Sequence, residues 1–267
     1  MSPTRIRAGV VDLPSGARMH IPLDLGFDWS GLDPTPADVN LGAEGTTQLF
    51  PLGTIYETPW GRWRYYESGG TIGAGKLAGS EAFDGAHNNL TPTAAAIGAI
   101  EITTSDTITL VANEYVGGTM HVEAAATAGS GYAYNIIKHD APASGATFTI
   151  DQPLAVALDA SAELTLVKSN YKECIIHASP TVTNLSGVVR HASADGDFGW
   201  MQTKGHCSVL TDTVCLIGEP VIASVNVNGA VGPLLYADSS AVELVHVGRM
   251  VNTVANTEFG IIDLQLE

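Results

Sequence analysis

The chain has 267 residues, with 28 acids against 12 bases and a formal net charge of −16. A field of that sign repels phosphate backbones and anionic lipid, which excludes nucleic acid and membrane as expected partners. Only 15% of residues are charged and 45% are hydrophobic, with Gly heavily used. That composition predicts an all-β fold of many short antiparallel strands joined by small-residue turns, not a helical bundle.

The opening residues, Met-Ser-Pro-Thr-Arg-Ile-Arg, lead into no apolar core of a signal peptide, and no apolar run reaches membrane-spanning length. The expectation is a soluble protein, or one carried by a soluble assembly, put together in a reducing cytoplasm. Residues 1–46 carry Pro3, Pro14, Pro22, Pro34 and Pro36 with no sustained period, and read as an extended N-terminal arm. Within it Ile21, Leu23, Leu25, Phe27 and Trp29 alternate with other residues, as in an extended strand. They are candidate interaction residues, laid across a neighbouring subunit or across their own domain.

A β-rich region is expected over residues 47–125 and a barrel or sandwich over 126–267. The first hairpin spans residues 48–68, turning at Thr58-Pro-Trp-Gly61. Its return arm sets Trp63 and Tyr65 on one face and Arg62, Arg64 and Tyr66 on the other. Arg62 and Arg64 are candidate contacts to acidic groups of a neighbour. Base stacking between them is the weaker reading, given the charge. The Gly-rich run from Gly69 to Ser80 has neither Walker nor Rossmann spacing and reads as strand, turn, strand.

Residues 81–93 read as a polar loop and 93–96 as a short helical turn. Strands are expected over 100–103, 107–112, 119–123, 132–138, 146–150, 154–158, 163–168 and 174–178. Residues 184–197, rich in Ser, Gly and Asp, read as a surface loop. The period-two stretch from Phe198 to Lys204 begins the segment around which the rest is organised, with a bend at Gly205. Apolar runs at 214–217, 221–227, 242–251 and 258–266 continue it, the last tying its end into a sheet.

Chemistry is sparse. The eight histidines form no HxH or HExxH pattern, and no GxSxG elbow occurs. His206 and His177 have no supporting motif as catalytic groups. Cys174, Cys207 and Cys215 show no CxxC spacing and read as small buried hydrophobes. Asp195-Gly-Asp197 is the densest acidic pair, and reads as turn chemistry before calcium binding or a glycosidase pair. Trp60, Trp63, Trp200 and Tyr132 are residues able to line a sugar site, with core packing as the alternative. No catalytic residue, cofactor or metal is expected.

Several motifs follow one another in order: Leu52-Gly-Thr54, Arg64-Tyr-Tyr66, Gly70-Thr-Ile-Gly-Ala-Gly-Lys-Leu77, Gly131-Tyr-Ala-Tyr134, Asp151-Gln-Pro-Leu154, Phe198-Gly-Trp-Met-Gln202, Gly218-Glu-Pro-Val221, Val247-Gly-Arg249 and Ile262-Asp-Leu264. In that order, over residues 48–266, the chain resembles tailed-bacteriophage virion structural proteins of the head-decoration or capsid-stabilising kind. The resemblance implies a β-rich component on the capsid exterior, bound to the major capsid protein, self-associating as a homo-oligomer, often a trimer. It implies no active site. The alternatives are a tail or baseplate component, a carbohydrate-binding β-sandwich for host adhesion, or a glycan-cleaving enzyme.

Overall fold

A computed structural model describes residues 9–13, 15–22, 24, 39, 41–42, 44–123, 129–141, 144–179, 184–234 and 245–267. Among these the chain is almost entirely strand and turn. The strands are β1 (Gly9–Asp12), β2 (Arg18–Ile21), β3 (Ile55–Thr58), β4 (Gly61–Glu67), β5 (Lys76–Gly79), β6 (Glu101–Thr103), β7 (Thr119–Val122), β8 (Ala133–His139) and β9 (Thr147–Ile150). They continue with β10 (Leu164–Val167), β11 (Ile175–Ile176), β12 (Leu185–Val189), β13 (Phe198–Leu210), β14 (Pro220–Ala223), β15 (Val231–Pro233), β16 (His246–Met250) and β17 (Phe259–Gln265). The ladders among β2 to β17 are antiparallel.

The chain divides into two compact units. One is built on Ala82–Ser169. The other takes in Val10–Ile21, residues 44–81 and Asn170–Glu267. The first is therefore inserted in sequence between β5 and β11, whereas the expected divisions lay near residues 46 and 125. Composition does not change at residues 81 or 169. What joins the flanks is pairing, because β5 bonds to β11 and to β12 across the insertion.

The inserted unit holds a five-stranded sheet in the order β10-β7-β8-β9-β6. β7 and β9 alternate strictly, while β8 breaks its alternation at a register shift and β10 is buried on both faces. Ile102, Met120, Val122, Ile136, Phe148, Ile150, Leu164 and Leu166 turn inward and form one apolar cluster with Leu90, Leu154 and Leu158.

The other unit is organised on β13, a strand of 13 residues that is buried on both faces from Gly199 to Thr203 and alternates after Gly205. One edge of β13 pairs with β4 from Phe198↔Glu67 to Gly205↔Gly61. Its other edge meets β12 at Val188↔Gln202 and Val189↔Met201, then β17 from Lys204↔Gln265 to Leu210↔Phe259. The bend at Gly205 is real: it sits at φ +91, and the register with β4 shifts just before it. Cys207, Val209, Ile262, Leu264, Val247 and Met250 face one core, while His206, Ser208, Ile261 and Arg249 point away from it. Phe50, Tyr65 and Trp200 form an aromatic cluster, with Phe50 edge-on to Tyr65 at 5.3 Å between centroids.

Several expected elements take other forms. Neither sheet closes into a barrel among the described residues; the larger one runs open from β1 to β15. Residues 184–197 are not all loop, since β12 lies buried between β5 and β13. Residues 107–112 and 154–158 bury Ile108, Leu110, Leu154 and Leu158 without forming a ladder. Residues 214–217 form a turn with a single bridge, Cys215↔Val254. The helical turn expected at 93–96 is absent; a 3₁₀ turn lies instead at Gly85–His87, where the Asp84 carboxylate accepts the Ala86 N–H at 2.9 Å.

Candidate functional site

The candidate site is a cleft of about 940 Å³ on the unit organised around β13. The turn Thr58-Pro-Trp-Gly61 forms one wall. Thr58 Oγ1 accepts the Trp60 N–H at 3.2 Å, and Thr58 pairs with Gly61 across the turn. Pro59 restricts the backbone just before Trp60. The indole of Trp60 is nevertheless 83% exposed. Phe259, at the start of β17, stands at the cleft and is also exposed.

Two glycines let these walls approach. A Cβ on Gly205 would collide with the Trp60 carbonyl, and one on Gly75 would lie 2.6 Å from Phe259 Cε1. Both residues have positive φ, so substitution there is disfavoured twice over. Polar groups sit between the walls. His206 pairs with Asp263 in the β13–β17 register, and Ser208 follows on the same face. Arg190 stands at the end of β12. Among the described residues, the side chains of Arg190, His206 and Ser208 make no hydrogen bond or ion pair.

The candidate interaction residues fall elsewhere. Ile21 ends β2 and is buried in its own unit; β2 pairs with β3 from Arg18↔Glu57 to His20↔Ile55. The described part of the arm thus covers its own sheet. Leu23, Leu25, Phe27 and Trp29 lie outside the described residues.

Arg62 and Arg64 find their acids within the chain. Arg62 donates to Glu57 Oε1 at 2.8 Å and reaches Glu267 Oε2 at 3.4 Å. Arg64 meets Glu267 Oε1 at 2.6 Å and donates to the Gly53 carbonyl at 2.9 Å. The Tyr171 hydroxyl also donates to Glu267, and its ring lies 5.3 Å from the Arg64 guanidinium carbon. Burial alone would raise the Glu267 pKa, but the bonds and charge of Arg64, with Tyr171 and Arg62, hold it below the ordinary value.

Of the histidines, His177 is buried, with Nε2 3.3 Å from the Ser224 carbonyl, and burial lowers its pKa. Cys174, Cys207 and Cys215 are free and buried, as the sequence reading had them. Burial pushes their thiols up to about 12, 12 and 11. Asp197 does turn chemistry, accepting the Ala194 N–H at 2.7 Å.

Sequence reasoning missed Glu44. Its Oε1 accepts from the Tyr66 hydroxyl at 3.5 Å, and its Oε2 is buried with no partner. The carboxyl packs on the backbone of Gly199, where any Cβ would collide with it. Burial first, then the charge of Asp197, push its pKa up to about 7, against the bond from Tyr66. Nothing in the local sequence around Glu44 marks it.

Compared with known proteins, the chain matches no family model, no curated protein and no solved structure.

Proposed function

We propose that this protein is a virion structural protein of the capsid-decoration kind, binding the major capsid protein on the outside of the head as a homo-oligomer, with a trimer expected. One observation carries the reading. The turn after β13 presents Val214, Leu216 and Ile217 to solvent at 52, 50 and 68% exposure, while only Cys215 between them is buried. Backbone bonds hold that turn in place. Leu216 N–H donates to Glu219 at 2.7 Å and Ile217 N–H to Thr253 Oγ1 at 3.2 Å. Large aliphatic side chains held outward on a fixed turn fit a surface that a protein partner covers. The edge strand β1 adds a second feature of the same kind. It has one strand neighbour among the described residues, and Val10 is exposed on it, so another chain can extend the sheet there. The acidity favours an exterior position, away from packaged nucleic acid.

The test is particle imaging with the protein located and counted. Hundreds of copies on the head support the reading; a few dozen or fewer, on the tail, would replace it with a baseplate or adhesin role. In a binding assay on shells lacking the protein, Ile217→Asp is expected to lose attachment while remaining folded.

A further inference from the structure

We propose that the cleft beside Trp60 is a saccharide-binding site. The inference is independent of the virion reading, because it concerns what the isolated chain binds.

A pyranose ring has one face of C–H bonds and a rim of hydroxyls. A site for it needs a flat apolar wall and, around that wall, side chains able to donate and accept. The cleft supplies both. Trp60 is the wall: a large ring on a braced turn, fully formed yet left in water. Leaving an indole exposed forgoes the stabilisation that burying it would give. A lone exposed aromatic is ordinary, but this one stands over a concavity rather than on a flat surface. Phe259 gives a second apolar surface, against Gly75.

The hydrogen-bonding groups have not been spent on the fold. Arg190 and His206 offer donors, Ser208 offers both roles, and Asp263 is an acceptor that Gln265 steadies at 2.9 Å. Three of these four have no intramolecular partner among the described residues. Along β13 and β17 His206, Ser208 and Asp263 alternate with core residues, so the pleat sets these three at fixed spacing on one face. The site is therefore largely preformed, which lowers the ordering cost of binding. Its volume of about 940 Å³ has room for a short oligosaccharide rather than a single sugar. A protein hot spot would instead favour a pocket drained of unpaired polar groups at its centre.

The test uses the purified full chain on an array of neutral and acidic oligosaccharides, followed by calorimetric titration with the best-captured one. Wild type is expected to capture at least one saccharide class. Trp60→Ala, at an exposed position, is expected to keep the fold by circular dichroism and to weaken binding by about tenfold or more. His206→Ala and Ser208→Ala are each expected to weaken it several-fold. Capture of no saccharide at millimolar concentration overturns the proposal, as does a Trp60→Ala protein that binds within twofold of wild type. If Trp60 is protected only by added capsid shells and no saccharide competes, the cleft is a protein contact and the proposal fails, while the decoration reading stands.

Discussion

Replacing Glu44 with Gln removes a charge that the fold buries without compensation. One carboxylate oxygen has a long bond from Tyr66, the other has no partner, and Asp197 adds a like charge nearby. The native state therefore prefers the protonated acid, at about 7 against an ordinary 4.5. A raised folded pKa means stability that is fully present below pH 4.5 and is lost as pH rises through about 7. That displacement is worth at most ~3.4 kcal/mol at pH 8. Partial solvent access to the carboxylate reduces the expectation to ~1–2 kcal/mol. Gln keeps the size and carries no charge, so Glu44→Gln is expected to be more stable than wild type by that amount at pH 8 and to match it near pH 4.5. The assay is guanidinium denaturation at several pH values, followed by tryptophan fluorescence. The described reporters Trp60, Trp63 and Trp200 all belong to the unit that contains Glu44. His177 in the same unit titrates in the opposite sense, so the quantity to read is the difference between variant and wild type. A variant less stable than wild type at pH 8, or a difference that stays flat from pH 4.5 to 8, would refute the reasoning.

Glu267→Gln should cost ~1–2 kcal/mol near neutral pH, because it removes the shared anion between Arg62 and Arg64; the loss is read by the same denaturation and should shrink as pH falls from 4.5, where the unfolded carboxylate takes up its proton, through the lower value at which the folded one does. Gly187→Ala should destabilise by ~1–3 kcal/mol, since a Cβ there would lie 2.8 Å from the Gln202 carbonyl and 2.9 Å from the Met201 side chain; a melting temperature equal to wild type would show that β12 shifts freely. The three thiols should stay unreactive to a chromogenic disulfide reagent in the native state and all react in denaturant. Their raised pKa values also predict stability lost as pH climbs above 9.

Much of the strand pattern was legible because period two is a local property. β13, β7, β8 and β17 all show it in their own residues, and the turn at Thr58-Pro-Trp-Gly61 carries its own chemistry. β12 was not legible, for a physical reason. Gly187 is required by the close approach of Gln202, and the Ser186 hydroxyl donates to the Asn170 carbonyl at 2.6 Å. Small residues chosen for tight packing look the same in sequence as residues chosen for a loop. The reverse error occurred at residues 107–112, where β-branched content satisfied burial without a ladder. At the sites, what escaped was distance along the chain. Arg64 and Glu267 are 203 residues apart, and His206 faces Asp263 only through the β13–β17 register. The alternation of Arg62 and Arg64 was readable; the carboxylate that holds both was not.

The insertion between β5 and β11 imposes an order of events during synthesis. Every ladder of the five-stranded sheet closes within Ala82–Ser169, so that sheet can form while later residues are still inside the ribosome. β3, β4 and β5 emerge earlier still, yet β4 and β5 must wait: β4 for β13, and β5 for β11 and β12. For that interval the nascent chain carries unpaired strand edges that precede a finished sheet in sequence, and this is the stage at which a chaperone or a second nascent copy would find it.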